Sequence, residues 1–263
     1  MPELPEVETI RRGLARLEGR LLTQVEVRDP RLLRGCAPAE LVRLRGHLKE
    51  ISRRGKFLIF KFDEHALVLH LGMTGRLLPH EGRYTRLVLH FSEEKLALDD
   101  PRRFAALCYI RAAELDELGP LKRLGIEPFT AGYTFKNFWK ILQTKQEIKR
   151  LLLDQRKLAG LGNIYANEAL FRAGINPLRP ASSLSRAEAK RLFEAIPRLL
   201  EEAIAAQGTT ISSYRTTTGE SGRFQEFLQV YGRAGESCRR CGRPIERIEQ
   251  RGRSTYFCPS CQV

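Results

Sequence analysis

The sequence predicts an α+β protein with a strand-rich first half, a helix-rich second half and a short cysteine module at its end. Three observations carry that expectation. Short apolar runs separated by polar turns fill most of the chain up to about residue 111. From Phe135 onward the apolar residues recur at helical spacing instead. Two Cys-x-x-Cys pairs, Cys238/Cys241 and Cys258/Cys261, then close the chain.

Each element follows from its local pattern. Val7, Ile10, Leu14 and Leu17 lie on one helical face, with Arg11, Arg12 and Arg16 on others. This is an amphipathic leading helix that starts around Pro5 and ends near Gly19. Residues 57–60, 67–71, 87–91 and 107–110 read as strands, and their turn-rich spacing suits a β-sandwich or a barrel. The pattern changes near Gly119-Pro120. Helices are then expected over Ile148–Leu153, Ile164–Arg172 and Ser185–Ala206. Asn163 can cap the second and Gly174 can close it. Ser185 and Glu188 form a capping-box pair for the third, and Pro197 should kink or break it. Ser212–Arg223 is polar and glycine-containing, the composition of a mobile loop. The expected domains are 1–119, 120–230 and 231–263.

Composition narrows the partner. The 263 residues are 42% hydrophobic, enough for a real core. They carry 45 Lys and Arg against 31 Asp and Glu, a net charge of +14. A surface of that sign suits a polyanion, although a merely soluble basic protein has it too. No apolar run approaches the roughly 18 residues of a membrane span. No basic stretch followed by an apolar one marks a secretory signal. Cys36 and Cys108 read as ordinary reduced cysteines of a cytosolic chain.

Six local motifs bear chemistry. The chain opens Met1-Pro2-Glu3-Leu4-Pro5-Glu6, and a small residue after Met1 favours its removal. Pro2 would then carry a secondary amine. An α-amino group titrates near 7.7–8.0, so it is a nucleophile at neutral pH with far less activation than a lysine needs. Read alone, the same residues are also an ordinary helix start with Pro5 in the first turn and acids at the positive end of the dipole. The cysteine spacing x2-x16-x2 matches one structural zinc site, because four thiolates leave no open position. Residues 231–263 hold seven Arg and three Glu, net +4, which suits an arm for DNA.

The remaining motifs are weaker alone. Leu158–Tyr165 has glycines ahead of a helix N-terminus, either a phosphate site or a tight packing joint. His70-Leu71-Gly72-Met73-Thr74-Gly75 can present Met73 as a wedge, or bury it as core. Asp100-Pro101-Arg102-Arg103-Phe104 offers an Arg for an orphaned base and a Phe to stack, or a solvated Arg pair. Lys56, after Arg53-Arg54-Gly55, is a phosphate contact or a plain surface lysine.

Together these motifs resemble the bacterial formamidopyrimidine-DNA glycosylase family from the N-terminus to Cys261. The resemblance rests on MPELPEVET, RRGKFL, HLGMTG, DPRRF, LLLDQ with GLGNIYANEAL, QVYGR and the four cysteines. Leu4, Met73, Arg102 and Phe104 favour its oxidised-purine branch over the related endonuclease VIII type. It implies an N-terminal β-sandwich domain, then a helix-two-turn-helix domain and a zinc finger. It further implies an enzyme that excises 8-oxoguanine and formamidopyrimidines from duplex DNA; a cytoplasmic monomer is expected, since nothing in the sequence reads as a dimer seam. The same enzyme would cleave the strand at the abasic site by β,δ-elimination.

By motif, Pro2 is the Schiff-base nucleophile and Glu3 the acid that assists sugar-ring opening. Glu6 shapes the same acidic entrance. Burial or a neighbouring carboxylate is what suits Glu3 to that role. Lys56 and Asn163 match phosphate contacts, Lys56 at the catalytic site itself. Lys149 matches a basic residue lining that site, and Arg253 matches a DNA-binding arginine. Met73, Arg102 and Phe104 fill the space left by the flipped nucleotide. Residues 212–223 take the place of the loop over the extruded base. Cys238, Cys241, Cys258 and Cys261 hold zinc. Ala105 departs from the glycine often found there.

Overall fold

The computed structural model describes residues 2–211 and 214–263. The expected removal of Met1 therefore concerns a residue outside the described ones, as do Ser212 and Ser213 of the polar loop. The chain divides into two compact units. The first is residues 1–122 with 204–225, and the second is residues 123–203 with 226–263. The return of 204–225 to the first unit is invisible in the linear pattern.

In the first unit the leading helix α1 (Leu4–Leu14) ends in a 3-10 turn, Ala15–Leu17. Nine strands follow: β1 (Leu21–Val27), β2 (Gly46–His47), β3 (Glu50–Arg54), β4 (Phe57–Lys61), β5 (His65–His70), β6 (Arg76–Leu78), β7 (Thr85–Phe91), β8 (Lys95–Asp99) and β9 (Ala106–Arg111). A short helix α2 (Pro38–Leu41) lies between β1 and β2. The strands form two sheets, ordered β2-β1-β7-β8-β6 and β3-β4-β5-β9. Every named pairing is antiparallel. Alternate residues of both sheets enter one apolar cluster. Val25, Leu87, Leu89 and Leu98 come from one sheet, and Ile51, Leu58, Phe60, Leu67 and Leu107 from the other. Val7, Ile10, Leu14 and Leu17 join the same cluster. Two separate sheets around one core make this a sandwich rather than a barrel.

The short α3 (Gly119–Lys122) ends the sandwich segment. The second unit holds α4 (Phe135–Ile141), α5 (Ile148–Leu153), α6 (Asn163–Ala173) and most of α7 (Arg186–Ala205), then a hairpin of β10 (Glu246–Gln250) and β11 (Arg253–Phe257). Gly174 closes α6 in the left-handed region at φ 70°, as its sequence position suggested. The N-cap of α6 is Gly162 rather than Asn163, which begins the helix itself. The Asn163 side chain has another use, described below. Ser185 and Glu188 do form the reciprocal cap of α7: Ser185 N–H donates to Glu188 Oε2 at 2.7 Å and Glu188 N–H to Ser185 Oγ at 3.2 Å.

Pro197 does not break α7, which runs through it. A proline strips the carbonyl four residues back of its helical donor. That carbonyl, Phe193 O, accepts instead from the Tyr133 hydroxyl at 2.9 Å. The two rings also stack, with centroids 4.6 Å apart and planes at 12°. A tertiary hydrogen bond thus offsets the local defect.

Candidate active site and nucleic-acid interface

The start of α1 gathers the first set of residues. Pro2 is buried, and Glu3 and Glu6 are only 3% and 2% exposed. Pro5 takes the first turn, where its missing N–H costs nothing. Glu6 Oε2 accepts the Glu3 N–H at 2.8 Å, and its Oε1 accepts the Thr209 N–H at 2.8 Å. Glu6 therefore ties the start of the chain to the segment that returns after α7. Gly208 makes this possible. It sits at φ 82°, and a Cβ there would lie 2.9 Å from Glu6 Oε1.

Residues 214–217 of the polar loop are packed, whereas 218–221 are exposed as its composition suggests. Tyr214 is 6% exposed within the sandwich core, and its hydroxyl donates to Gln207 O at 3.0 Å. Thr217 covers Gly13 of α1 so closely that a Cβ on Gly13 would meet Thr217 Oγ1 at 2.4 Å. One buried aromatic and two buried threonines, Thr216 and Thr217, anchor an otherwise polar stretch.

The second set lies where both sheets hand the chain to each other. Met73 and Phe104 are 41% and 48% exposed, so neither is core. The Arg102 guanidinium stands 4.6 Å over the Phe104 ring. The backbone bends sharply at Gly72 (φ 63°) and at Arg103 (φ 59°). Arg103 Nε is 3.1 Å from Asp29 Oδ2, which offsets part of that strain. Lys56 follows Gly55 in the turn between β3 and β4 and is 6% exposed, not a surface lysine. Burial and the Lys56 charge hold His70 down at about 4, so its ring is neutral near pH 7. His70 Nδ1 accepts the Gly72 N–H at 3.1 Å, which leaves the proton on Nε2.

The third set belongs to the second unit. Lys149 is 1% exposed, and its ammonium donates to Ser254 O at 3.0 Å and Thr255 Oγ1 at 2.6 Å. Asn163 Nδ2 donates to the same Ser254 carbonyl at 2.9 Å. Both side chains thus grip the backbone of β11 next to Arg253. Lys149, expected to line the DNA site, is buried, with its ammonium on β11. Beside it is a cavity of about 360 Å³ lined by Lys149, Arg150, Arg156, Arg251 and Arg253 among others, with Glu147 and Asp154 as its acids. The glycine-rich segment before α6 is fixed by Gln155, whose Oε1 accepts the Gly160 N–H and whose Nε2 donates to Leu161 O.

The four cysteines converge as their spacing suggests. Their sulfurs lie within 4.8 Å of one another, with Cys238–Cys261 at 3.9 Å and Cys241–Cys258 at 3.5 Å. A tetrahedron with metal–sulfur bonds of about 2.3 Å has edges of about 3.8 Å, so the cage fits zinc. A disulfide at about 2.05 Å does not fit these separations. Arg240 N–H points at Cys238 Sγ at 3.4 Å. Burial opposes ionisation of Cys238, but backbone N–H groups of Arg240 and Cys241 outweigh it and bring the thiol down to about 7. All four ligands are cysteine, so the site is closed and structural in kind.

Sequence patterns missed the residues that fasten this hairpin. Glu168, on α6, is fully buried and accepts the N–H groups of Gln229, Val230 and Tyr231, each at 2.9 Å. Burial raises its pKa despite those donors. Asn167 Oδ1 accepts the Tyr256 N–H at 2.7 Å. A carboxylate and an amide on the buried side of an otherwise apolar helix were the available signal.

A sandwich with a buried acidic N-terminus and exposed Met, Arg and Phe, together with a helical unit bearing a four-cysteine hairpin, defines a zinc-finger protein of the DNA-repair glycosylase class. The comparisons narrow this to one family. Residues 1–107 match the formamidopyrimidine-DNA glycosylase N-terminal domain. Residues 124–215 match its H2TH domain, and residues 235–263 match the zinc finger found in FPG and IleRS. The formamidopyrimidine-DNA glycosylase of Thermus thermophilus is 47% identical over 267 residues, covering 100% of this chain and 98% of its own. A Lactococcus lactis Fpg variant bound to Fapy-dG containing DNA superposes with a TM-score of 0.92 at 36% identity, covering 99% of both chains. The same organism's Fpg bound to abasic-site DNA gives 0.91 at 36% identity, again covering 99% of both. The chain belongs to the formamidopyrimidine-DNA glycosylase family.

Proposed function

We propose that this protein is a bifunctional DNA glycosylase and abasic-site lyase for oxidised purines, 8-oxoguanine and formamidopyrimidines, in duplex DNA. The observation that carries the reading is the buried start of the chain. Pro2 and Glu3 lie side by side, with Glu6 holding the Glu3 backbone. The reading requires Met1 to be removed, so that Pro2 carries a free secondary amine. That amine attacks C1′ of the extruded nucleotide, the bond to the base breaks, and Glu3 protonates the ring oxygen as the sugar opens. The product is an iminium, a permanent cation that draws electrons from C2′. Loss of the C2′ proton expels the 3′ phosphate, and a second elimination expels the 5′ phosphate.

The base must first leave the stack, at a cost of a few kcal/mol. We assign Met73, Arg102 and Phe104 to the vacated space, and Lys56, Asn163 and Arg253 to the phosphates that hold the turned-out nucleotide. Exposed apolar side chains beside a stacked guanidinium support the first assignment. Lys149 is assigned to the basic lining of the DNA site, where it also holds β11 next to Arg253. One structural zinc, a monomeric working form, a cytoplasmic site of action and the domain limits 1–119, 120–230 and 231–263 complete the reading. The Lactococcus relative bound to formamidopyrimidine and abasic-site DNA supports the substrate class and the lyase step.

Borohydride reduction on a duplex containing 8-oxoguanine tests the mechanism. A covalent enzyme–DNA adduct is expected, together with an N-terminus that mass spectrometry reads as Pro2. A sample that begins at Pro2 and gives no adduct overturns it. Faster cleavage of a 5-hydroxycytosine duplex than of an 8-oxoguanine duplex would overturn the purine assignment alone.

A further inference from the structure

The two connections that carry Met73 and Arg102–Phe104 share one geometric origin. Residues 71–75 run from β5 in the four-stranded sheet to β6 in the five-stranded sheet. Residues 100–105 run back from β8 to β9. β5 pairs with β9, and β6 pairs with β8. Both connections are therefore bounded by the same two cross-strand pairs, His70↔Ala106 and Arg76↔Asp99. They cross between the sheets side by side.

One side chain joins them. Asp100 is fully buried at 0% exposure. Its Oδ1 accepts the Thr74 hydroxyl at 2.5 Å, and its Oδ2 accepts the Ala105 N–H at 2.8 Å. The first bond holds the residue after Met73, and the second holds the residue after Phe104. The Asp100 carbonyl in turn accepts from Arg86 Nε at 3.0 Å, which anchors the bridge to β7. Gly72 lets the loops touch, since a Cβ there would lie 2.4 Å from the Phe104 carbonyl. At the same time Met73 and Phe104 stay largely exposed. The loop backbones are fixed while their tips are presented to solvent.

We propose that Asp100 is a positioning residue that locks the Met73 loop and the Arg102–Phe104 loop into one rigid wedge. It touches neither substrate nor reacting atoms. A wedge offsets the unstacking cost only if its side chains are held in place before the base leaves. A loop free to retreat gives that free energy up. The inference rests on the assignment of Met73, Arg102 and Phe104 to the vacated space.

The test separates extrusion from chemistry. A 2-aminopurine placed beside 8-oxoguanine in the duplex reports unstacking by its fluorescence. Asp100→Ala is expected to cut the extrusion rate and 8-oxoguanine excision by tenfold or more. Cleavage of a preformed abasic site, which has no base to unstack, should change less than threefold. Asp100→Asn should recover most of the loss. Its amide oxygen, in the place of Asp100 Oδ2, can accept from Ala105, and its Nδ2 can donate to the Thr74 oxygen. Thr74→Val should lose part of the rate, and adding it to Asp100→Ala should lose nothing more.

Extrusion at the wild-type rate in a folded Asp100→Ala protein overturns the proposal. So does an Asp100→Asn variant as slow as the alanine, which would make the charge rather than the bridge the active property. If Asp100→Ala does not fold, Thr74→Val carries the test alone, and extrusion unchanged in it overturns the proposal. Phe104→Ala and Met73→Ala serve as the control on the underlying reading. If they too extrude normally, the wedge assignment fails. If they are slow and Asp100→Ala is not, only the role of Asp100 fails.

Discussion

The sandwich and the cysteine hairpin are held together by different physics. The sandwich buries leucines, valines and phenylalanines from both sheets and α1 in one cluster. Area burial of that kind is non-directional and tolerates exchange among apolar residues. The cysteine hairpin has a small cluster, Phe171, Val230, Ile245, Cys238 and Cys258 with Tyr256 and Cys261 packed against it. What fixes it is directional: four converging sulfurs, Glu168 on three backbone N–H groups, Lys149 and Asn163 on Ser254 O, and Asn167 on Tyr256. A short two-stranded ribbon cannot bury enough surface to stand alone, so it is fastened by point contacts. The lesson is that the sandwich and the hairpin should fail under different insults.

Removing the metal ligands should have the largest effect. Structural zinc in finger peptides is worth about 10–16 kcal/mol of apparent binding free energy, and that is folding free energy for the hairpin. Cys258→Ser, or strong chelation, should unfold the hairpin and weaken DNA binding at least tenfold. Hydrogen exchange should report fast exchange confined to the hairpin, with the sandwich strands still protected. Loss of protection in both units together would break the contrast.

Glu168→Gln should come next. It keeps the shape but replaces one of the oxygens that share three donors with an NH2 group. Hydrogen bonds to a charged group are worth about 1.5–3 kcal/mol, so a loss of about 2 kcal/mol is expected. Equilibrium denaturation followed from the second unit checks it. Tyr133→Phe should cost less, about 1–2 kcal/mol, by leaving Phe193 O without a donor opposite Pro197. Pairing it with Pro197→Ala should remove most of that penalty, because the helix then supplies its own N–H. Additive effects in that cycle would rule out the compensation.

The smallest effect belongs to the sandwich and appears only in acid. Burial opposes ionisation of Glu8, but hydrogen bonds from Arg11 and Arg12 and the nearby Arg53 charge outweigh it. They hold the carboxyl at about 2, below its ordinary 4.5. A depressed carboxylate stabilises the fold above the unfolded value and loses that contribution as pH falls through the folded one. The first unit should therefore weaken between about pH 4.5 and 2. Glu8→Gln should flatten that slope in acid melting curves. A slope unchanged by the substitution would assign the acid sensitivity to other carboxylates.

Local chemistry was legible in the sequence wherever a single segment sufficed. The amphipathic period of residues 7–17, the Ser185/Glu188 cap, Gly174 and the cysteine spacing all concern neighbours within a few residues. Each appears in the structure as its pattern suggested. The errors have a common cause. Local rules predict a kink or a break at Pro197; the helix is unbroken, and Tyr133 comes from 60 residues away to satisfy the freed carbonyl. Asn163 looked like a cap, but its amide is drawn to Ser254 on a strand 91 residues later. Residues 214–217 looked like free loop, but one tyrosine finds the sandwich core.

The sequence by itself determined the α+β class, the family and the four cysteines that converge. Periodicity, cap chemistry and ligand spacing are short-range properties, and a side chain's chemistry travels with its name. Tertiary structure decided that two sheets close as a sandwich and that Glu6 ties the chain start to Thr209. It also decided that Asp100 bridges two loops a full hairpin apart in sequence. Those outcomes depend on which distant backbone groups come to lie within about 3 Å of a buried side chain. Only the packed core sets that, because a buried polar group must find its partner wherever the fold delivers one.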